Sequence, residues 1–580
     1  MFKMENKLRS KAEQQADEHS CKLLLNCYIR ELGPKKAEHM QLNPDTLTYT
    51  IAFPTSRVSV MGLLSYYSAM GEHEYLSMNW NGQAVHSRDL VRWIASEISG
   101  DQGRGAERVR EFTQKVENSV ANMTLYIEQA SDLGIYDYIT SEQSLLYGHP
   151  FHPFPKNSRG FTATDVQRYS PELRTSFQLC YIAVRQDVYT EEWVQHADKM
   201  DLHQLLGSHE WSVSKEKLAM YGIVPIHPWQ YAYISGLDEV QSYIVEEKIL
   251  LLDQAGPLAY PTSSVRTVYI PDWNCNIKLS LHMQITNMIR TNSAEQMRRT
   301  LDASNYVWQQ GCFEAEPCTH IAYETGVATC KFEDEELTRL FTVAYRPIEF
   351  DAASTYVLSS LVESPLPGAP SRLVTMLCGR QDDADVVDRD KVEQWLSRYL
   401  DCSLLPLVRA AGEKGIHFES HLQNTLVTLE QGMPVAFIVR DLEGVSVDEQ
   451  LVDGWQRHEQ REILSSEVSE LLRYSREKAW ARTSYYFIVN HLGSLIHVLA
   501  RDVNVSEKYF WMQVREVLEE EWARTGNAYV EHLLTADAFL AKQNLVSCLT
   551  GISQTPAYVP VGNVMKRLGS EAREIRGNRQ

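Results

Sequence analysis

The chain lacks several signatures that would decide its class at once. None of its ten cysteines forms a CxxC pair, and Cys312 and Cys318 are not spaced as a zinc site. Scattered single cysteines read as buried free thiols in a reducing compartment, so a cytoplasmic protein is expected. The opening residues, MFKMENKLRSKAEQQADEHS, contain no apolar core of the kind a secretory signal needs. No run approaches the ~18–20 apolar residues of a membrane span. Neither GxGxxG nor GxxxxGK[ST] occurs, which excludes a P-loop NTPase and a standard protein kinase. Positive charge is also short. With 56 Lys and Arg against 76 Asp and Glu, the formal net charge is −20. That argues against nucleic acid or an anionic membrane as partner. A protein this acidic that handles anions must gather its few cations locally.

What is present is a globular composition, 44% hydrophobic and 23% charged over 580 residues, enough for about three or four domains. Residues 21–32 read as a helix stopped by Gly33 and Pro34. Leu47, Tyr49, Ile51 and Phe53 alternate with threonines, and a second alternating run begins at Val58. Residues 105–131 carry Val109, Phe112, Val116, Val120 and Met123 at helical spacing. Pro365-Leu-Pro-Gly-Ala-Pro370 predicts a linker and a domain boundary near it. Beyond it, 391–412 and 458–545 are mostly helical in pattern, with a β-rich insert at about 416–448.

Two polar clusters stand out. In the first, Ser264 and Arg266 would share a face of an extended segment, and Lys278 lies in a second one. Thr286 and Arg290, four apart, would face the same way on a helix. Three cations interleaved with hydroxyls suit a polyanion such as triphosphate, or are three unrelated surface cations. In the second, Glu419, His421 and Gln423 alternate ahead of a predicted turn at Gln431-Gly432. An apolar strand then runs into Arg440-Asp441. Glu419 and Asp441 are a candidate Mg²⁺ pair; a solvated hairpin edge is the alternative. Charges placed directly after an apolar run require partners or a ligand. A third segment, Gly148 to Gly160, packs His149, His152, Lys156 and Arg159 into a proline-rich loop, and Ile226-His-Pro-Trp-Gln230 repeats its His-Pro element. Without acidic or thiol companions these histidines bind an anion or cap turns, rather than hold a metal.

Taken in order, GHPFHPFPKNSRG, IHPWQ, TSSVRT, IKLSLHMQITNMIRT, HFESHLQNTLV and RDLEG resemble the NRPS-independent siderophore synthetases of the aerobactin-synthetase (IucA/IucC) type. The resemblance implies an α+β, cupped-hand architecture: thumb at 1–140, fingers at 141–370 and a mostly helical, distantly kinase-like palm at 371–580. It implies a cytoplasmic homodimer that adenylates a carboxylate with ATP and Mg²⁺ and condenses it with an amine or hydroxyl. Free citrate is the favoured acid, with a citrate mono-amide or 2-oxoglutarate as alternatives. The resemblance puts Ser264, Arg266, Lys278, Thr286, Gln423, His152 and Lys156 on ATP. Arg290 and His421 would grip the reacting carboxylate, Thr286 beside them. Glu419 and Asp441 would hold magnesium, and Lys542 in Ala541-Lys-Gln-Asn-Leu would be a substrate-side lysine. One departure is Lys156-Asn-Ser-Arg159, where the family more often has Lys-Ser-Arg. A small-molecule kinase with the same palm, and a non-catalytic carboxylate-binding scaffold, are the competing readings.

Overall fold

The computed structural model of the chain describes residues 9–99, 106–130, 134–286, 288–366, 368–378, 388–457, 468–552 and 557–577. It is a mixed α+β fold. The N-terminal helix is longer than expected and spans Lys11–Leu32. Ser10 starts it by accepting the Glu13 N–H at 3.1 Å, and the Gly33-Pro34 turn ends it. Leu23, Leu24 and Leu25 are all fully buried, so this helix is packed on more than one face. One face meets the five-stranded meander that contains the two expected strands, Thr48–Phe53 and Val58–Tyr66. Another meets the helix Ala106–Gln129, close to the expected 105–131.

The middle of the chain folds around an eight-stranded antiparallel sheet. Its central strands include Val343–Pro347, Cys275–Lys278, Thr267–Ile270 and Ile249–Pro261, hydrogen-bonded in that order. A second sheet is built from the hairpin Thr425–Glu430 and Met433–Arg440, flanked by Thr355–Val357 and Thr319–Ala322. Its turn is Gln431-Gly432, both residues at positive φ, the geometry that a tight two-residue hairpin requires. Two of these four strands precede residue 370 and two follow it. The 365–370 segment therefore joins elements of one sheet instead of separating two cores.

The expected helix at 391–412 forms as Arg389–Cys402 and Leu404–Arg409. The helical stretch expected at 458–545 begins in residues 458–467, which lie outside the described residues. The rest is mostly helical, apart from the short strand Arg473–Tyr474 and its end. Ala538–Lys542 is a strand paired with Tyr558–Gly562, because Phe539 and Ala541 alternate inward. Glu31 ties this region to the N-terminal helix by accepting the N–H groups of Leu545 and Val546 at 2.8 and 2.9 Å. Cys21, Cys27, Cys180, Cys275, Cys312, Cys318, Cys330, Cys378 and Cys402 are free thiols. Among the described residues no helix is long and apolar enough to cross a membrane.

Seven histidines are held in the neutral form by full or partial burial. Burial pushes His19, His73, His152, His227, His417 and His491 down to about 3, and His421 to about 4. In the unfolded chain each would titrate near 6.5. Below that pH the unfolded chain takes up protons that the folded chain refuses. Each histidine then withdraws up to about 1.4 kcal/mol of stability per pH unit as the pH falls towards 4. His497 has the opposite sign. Burial disfavours its charge, but Glu507 and Glu74 hold it up at about 9, so its contribution is lost as pH rises from 6.5 through 9. The expected outcome is a melting temperature that drops steeply between pH 6.5 and 5. A flat scanning-calorimetry profile across that interval would contradict the buried neutral state.

Candidate active site

One cavity of about 1540 Å³ opens where the two sheets and the N-terminal region meet. Its wall carries Ser264, Arg266, Lys278, Thr286 and Arg290 from the first cluster, and Glu419, His421, Gln423 and Asp441 from the second. Lys542 reaches it from the C-terminal strand. Residues more than 250 positions apart thus face one space.

At its centre is an ion cluster. Lys278, 5% exposed, ends the strand Cys275–Lys278 and donates to Asp441 Oδ1 at 2.9 Å and Glu443 Oε2 at 3.0 Å. Burial opposes the lysine's charge, but the two carboxylates outweigh it and raise its pKa. Burial likewise opposes the Asp441 carboxylate, yet Lys278 and then Arg346 hold it well below the usual range. Asp441 has φ +66°, which turns the chain sharply at the end of the strand Met433–Arg440. A non-glycine residue there costs about 1–2 kcal/mol, offset by the ion pairs. The turn sends Asp441 towards Lys278 and Arg440 towards Glu142 and the Tyr138 hydroxyl. The partners that an Arg-Asp pair after an apolar run demanded are therefore present.

Next to this cluster, Arg266 and Arg290 have no carboxylate partner among the described residues. Arg266 is buried and donates to the carbonyls of Arg290 and Thr291 at 3.2 and 3.3 Å and to the Asn292 side chain. Arg290 donates to Thr286 Oγ1 at 3.1 Å, and its Nε is buried without a partner. Burial, then the charge of Arg266, pushes Arg290 down to about 10. A buried cation held without a counter-ion is a site for an anionic ligand.

Two local expectations are corrected here. Ser264 and Arg266 lie not on an extended segment but in a tight turn, with Val265 at φ +67°. Thr286 and Arg290 share a hairpin, Leu281–Ile285 with Met288–Arg290, rather than a helix. Thr286, at φ +55°, makes the turn, so its side chain meets Arg290 across it. Asn157, the additional residue of Lys156-Asn-Ser-Arg159, braces that turn. Its Nδ2 donates to the Thr286 carbonyl at 3.0 Å, and its own carbonyl accepts the Thr286 N–H at 3.0 Å. Arg159 points outward, exposed, to Glu111.

On the opposite wall, His421 Nδ1 accepts the Asn424 N–H at 3.3 Å, which places the proton on Nε2. Burial is the main reason its pKa falls to about 4. Gln423 donates to Ser263 Oγ at 3.2 Å, and Ser263 donates to Glu142, linking the hairpin to the large sheet. Lys542 Nζ donates to the Tyr486 hydroxyl, and burial lowers its pKa.

Not every expected residue is presented to the cavity in the expected way. Glu419 is paired with Arg482, a residue that sequence spacing did not single out. Gly444 is required beside it, because a Cβ there would lie 2.4 Å from Glu419 Cγ. Lys156 lines the cavity, but its ammonium is held by Glu172 at 2.6 Å and by the Leu145 carbonyl. His152 is not part of the cavity wall; its Nδ1 accepts the Phe154 N–H at 3.2 Å. His149 and His227 accept the N–H two residues on in the same way, at 3.0 and 3.1 Å. The three His-Pro elements therefore cap turns. Among the described residues no group of three or more His, Cys, Asp or Glu forms a metal cage. Glu443 and Arg346 were also missed. RDLEG contains Glu443, but nothing in the pattern showed that it shares Lys278 with Asp441.

The model of the IucA / IucC family matches residues 137–357, and that of the ferric iron reductase FhuF-like transporters matches 393–556. The L-2,3-diaminopropanoate–citrate ligase of Staphylococcus aureus is 31% identical over 93% of this chain and 94% of its own. The chain belongs to the IucA/IucC family of NRPS-independent siderophore synthetases. Within this family, a spermidine–citrate ligase from Bacillus anthracis is 26% identical over 96% of this chain and 98% of that one. The fold is that of the ATP-bound aerobactin synthetase IucA of a hypervirulent Klebsiella pneumoniae pathotype. The TM-score is 0.82 at 23% identity, covering 95% of this chain and 99% of that chain.

Proposed function

We propose that this siderophore synthetase is an ATP-dependent ligase that activates citrate as an acyl-adenylate and joins it to an amine. The supporting observation is the pair Arg266 and Arg290, cations without carboxylate partners among the described residues, on the wall of one cavity in a chain of net charge −20. Citrate and ATP repel each other, and these cations offset that repulsion where the two must meet. Family membership and the named citrate–amine ligases among its relatives support the same reading.

In this scheme Ser264, Arg266 and Lys278 contact the phosphates, with Thr286 and Gln423 beside them. Arg290 and His421 hold the reacting carboxylate and the α-phosphate. A citrate carboxylate oxygen attacks the α-phosphorus, and the bond to pyrophosphate breaks. Arg290 and the Nε2–H of His421 stabilise the charge that builds on the phosphoryl oxygens. The amine nitrogen then attacks the acyl carbon, AMP leaves and the amine loses a proton. Lys542 and Arg482 stand where the citrate carboxylates remote from the reaction would lie.

The family implies magnesium, and the donor set fits it. Asp441 is kept ionised, with Glu443 beside it and Glu419 packed against Gly444 of the same turn, all hard oxygen donors. Asp441 and Glu419 are the proposed ligands; a bound Mg²⁺ would neutralise part of the triphosphate charge. Residues 1–140, 141–370 and 371–580 are proposed as thumb, fingers and palm, with Thr319–Ala322 and Thr355–Val357 crossing from the second segment into the palm sheet, and the enzyme as a cytoplasmic homodimer.

The deciding experiment is product analysis with ATP, Mg²⁺ and citrate, using hydroxylamine as the trapping nucleophile. AMP and pyrophosphate in equal amounts, with citrate hydroxamate, are expected. Citrate-dependent ADP without AMP would establish the kinase reading in its place.

A further inference from the structure

The cavity extends beyond the ion cluster. It passes His149 and reaches a wall made by Glu72, Asn490 and Ser494. Glu72 lies in the connection before the strand Glu74–Trp80. Asn490 and Ser494 stand about one turn apart where the π-helical segment Ser484–Leu492 continues into the helix Gly493–Asp502. The two elements approach closely, since a Cβ on Gly493 would lie 3.6 Å from Met70 Cγ. Ser494 Oγ donates to Glu72 Oε2 at 2.7 Å.

The acceptors of this wall are short of donors. Glu72 is 7% exposed, yet among the described residues it forms no ion pair. The cations around it are engaged elsewhere. Arg30 donates to the Met70 carbonyl at 2.6 Å and lies over the Phe151 ring. Arg501 holds Asp502 and Glu74, and His497 is held between Glu74 and Glu507. Asn490 is 6% exposed, and its Oδ1 is buried without a hydrogen-bond partner. A buried acceptor left without a donor keeps its desolvation penalty, and an ionised carboxylate a larger one. A cavity wall with one charged and one neutral acceptor suits a ligand with a positive charge and several N–H groups. A primary ammonium has both.

The position fits the second substrate. The neutral ring of His149 feels His421 and Lys542, and also Glu72, so this wall neighbours the place where citrate would react. Resting on the ligase reading above, we infer that Glu72 and Asn490 form a subsite for a second, non-reacting cationic nitrogen of the amine substrate. The enzyme then selects amines that carry a further ammonium beside the one that attacks. An amine lacking it leaves the Glu72 and Asn490 acceptors unpaired, and such sites discriminate strongly.

The test uses the full-length enzyme with ATP, Mg²⁺ and citrate, and amine pairs that differ by one nitrogen. These are 1,4-diaminobutane against 1-aminobutane, and 2,3-diaminopropanoate against 3-aminopropanoate, with amide formation followed by mass spectrometry. The wild type is expected to favour the diamine of at least one pair by about 100-fold in kcat/KM. Glu72→Gln is expected to raise the KM of that diamine about ten-fold or more, while the KM of its monoamine changes less than about two-fold. Asn490→Leu should shift the diamine KM in the same direction. The monoamine rate serves as the internal control for folding. A wild type that favours neither diamine, or a Glu72→Gln effect equal on both members of the pair, overturns the inference. Hydroxamate formation by the wild type is read in parallel. If that fails, the ligase reading fails; if it succeeds and the amine selectivity is absent, only the subsite is lost.

Discussion

Arg290→Ala is expected to reduce citrate-dependent pyrophosphate release by about 10²–10³-fold, the loss typical of removing one preorganised donor to developing charge. Its effect on folding should be small or favourable. Arg290 makes one side-chain hydrogen bond, to Thr286, has a buried Nε without a partner, and forms no ion pair among the described residues. Burial and Arg266 both disfavour its charge, which is why its pKa drops to about 10. Removing such a group relieves a desolvation cost instead of breaking a bond network. Steady-state release of pyrophosphate and a thermal melt check the two halves. Turnover within about three-fold of wild type would show that Arg290 does not face the reacting phosphate. A large fall in melting temperature would show that its charge is balanced by the protein.

Most of the site was legible because each half is local. The strand ending at Lys278, the hairpin turn at Gln431-Gly432 and the Arg440-Asp441 pair all follow from alternation and turn chemistry within about ten residues. What sequence spacing could not convey was backbone at positive φ outside glycine. Val265, Thr286 and Asp441 all adopt it. Each converts an apparent extended or helical run into a turn that redirects a functional side chain. Partners from distant segments were equally hidden. Glu172 for Lys156, Arg482 for Glu419 and Tyr486 for Lys542 are separated from them by 16, 63 and 56 residues. The His-Pro segments illustrate the same limit from the other side. Their residue types left an anion site and turn caps both open, and the three rings are turn caps. The linker at 365–370 was a sound turn prediction but a poor divider, because strand pairing across it depends on the register of residues 319–357 against 425–440.

Lys278→Met is expected to damage both stability and activity, and the two effects can be separated. Lys278 is 6% exposed in its side chain and sits between Asp441 and Glu443 at 2.9 and 3.0 Å. Removing it leaves two adjacent carboxylates whose remaining ion pair among the described residues is the long one from Arg346 to Asp441, at 3.9 Å. Breaking a buried ion cluster in this way costs about 3–5 kcal/mol, because the stranded charges keep their desolvation penalty. Turnover should fall by at least about 10³-fold, since a phosphate contact and the ionisation state of Asp441 are lost together. The double variant Lys278→Met with Glu443→Gln removes one of the stranded charges. It is expected to recover about half of the lost stability in denaturant titration and none of the turnover. Recovery of both would make Lys278 a purely structural counter-ion. Recovery of neither would mean that the lysine's packing, and not its charge, holds the two sheets together at the cavity.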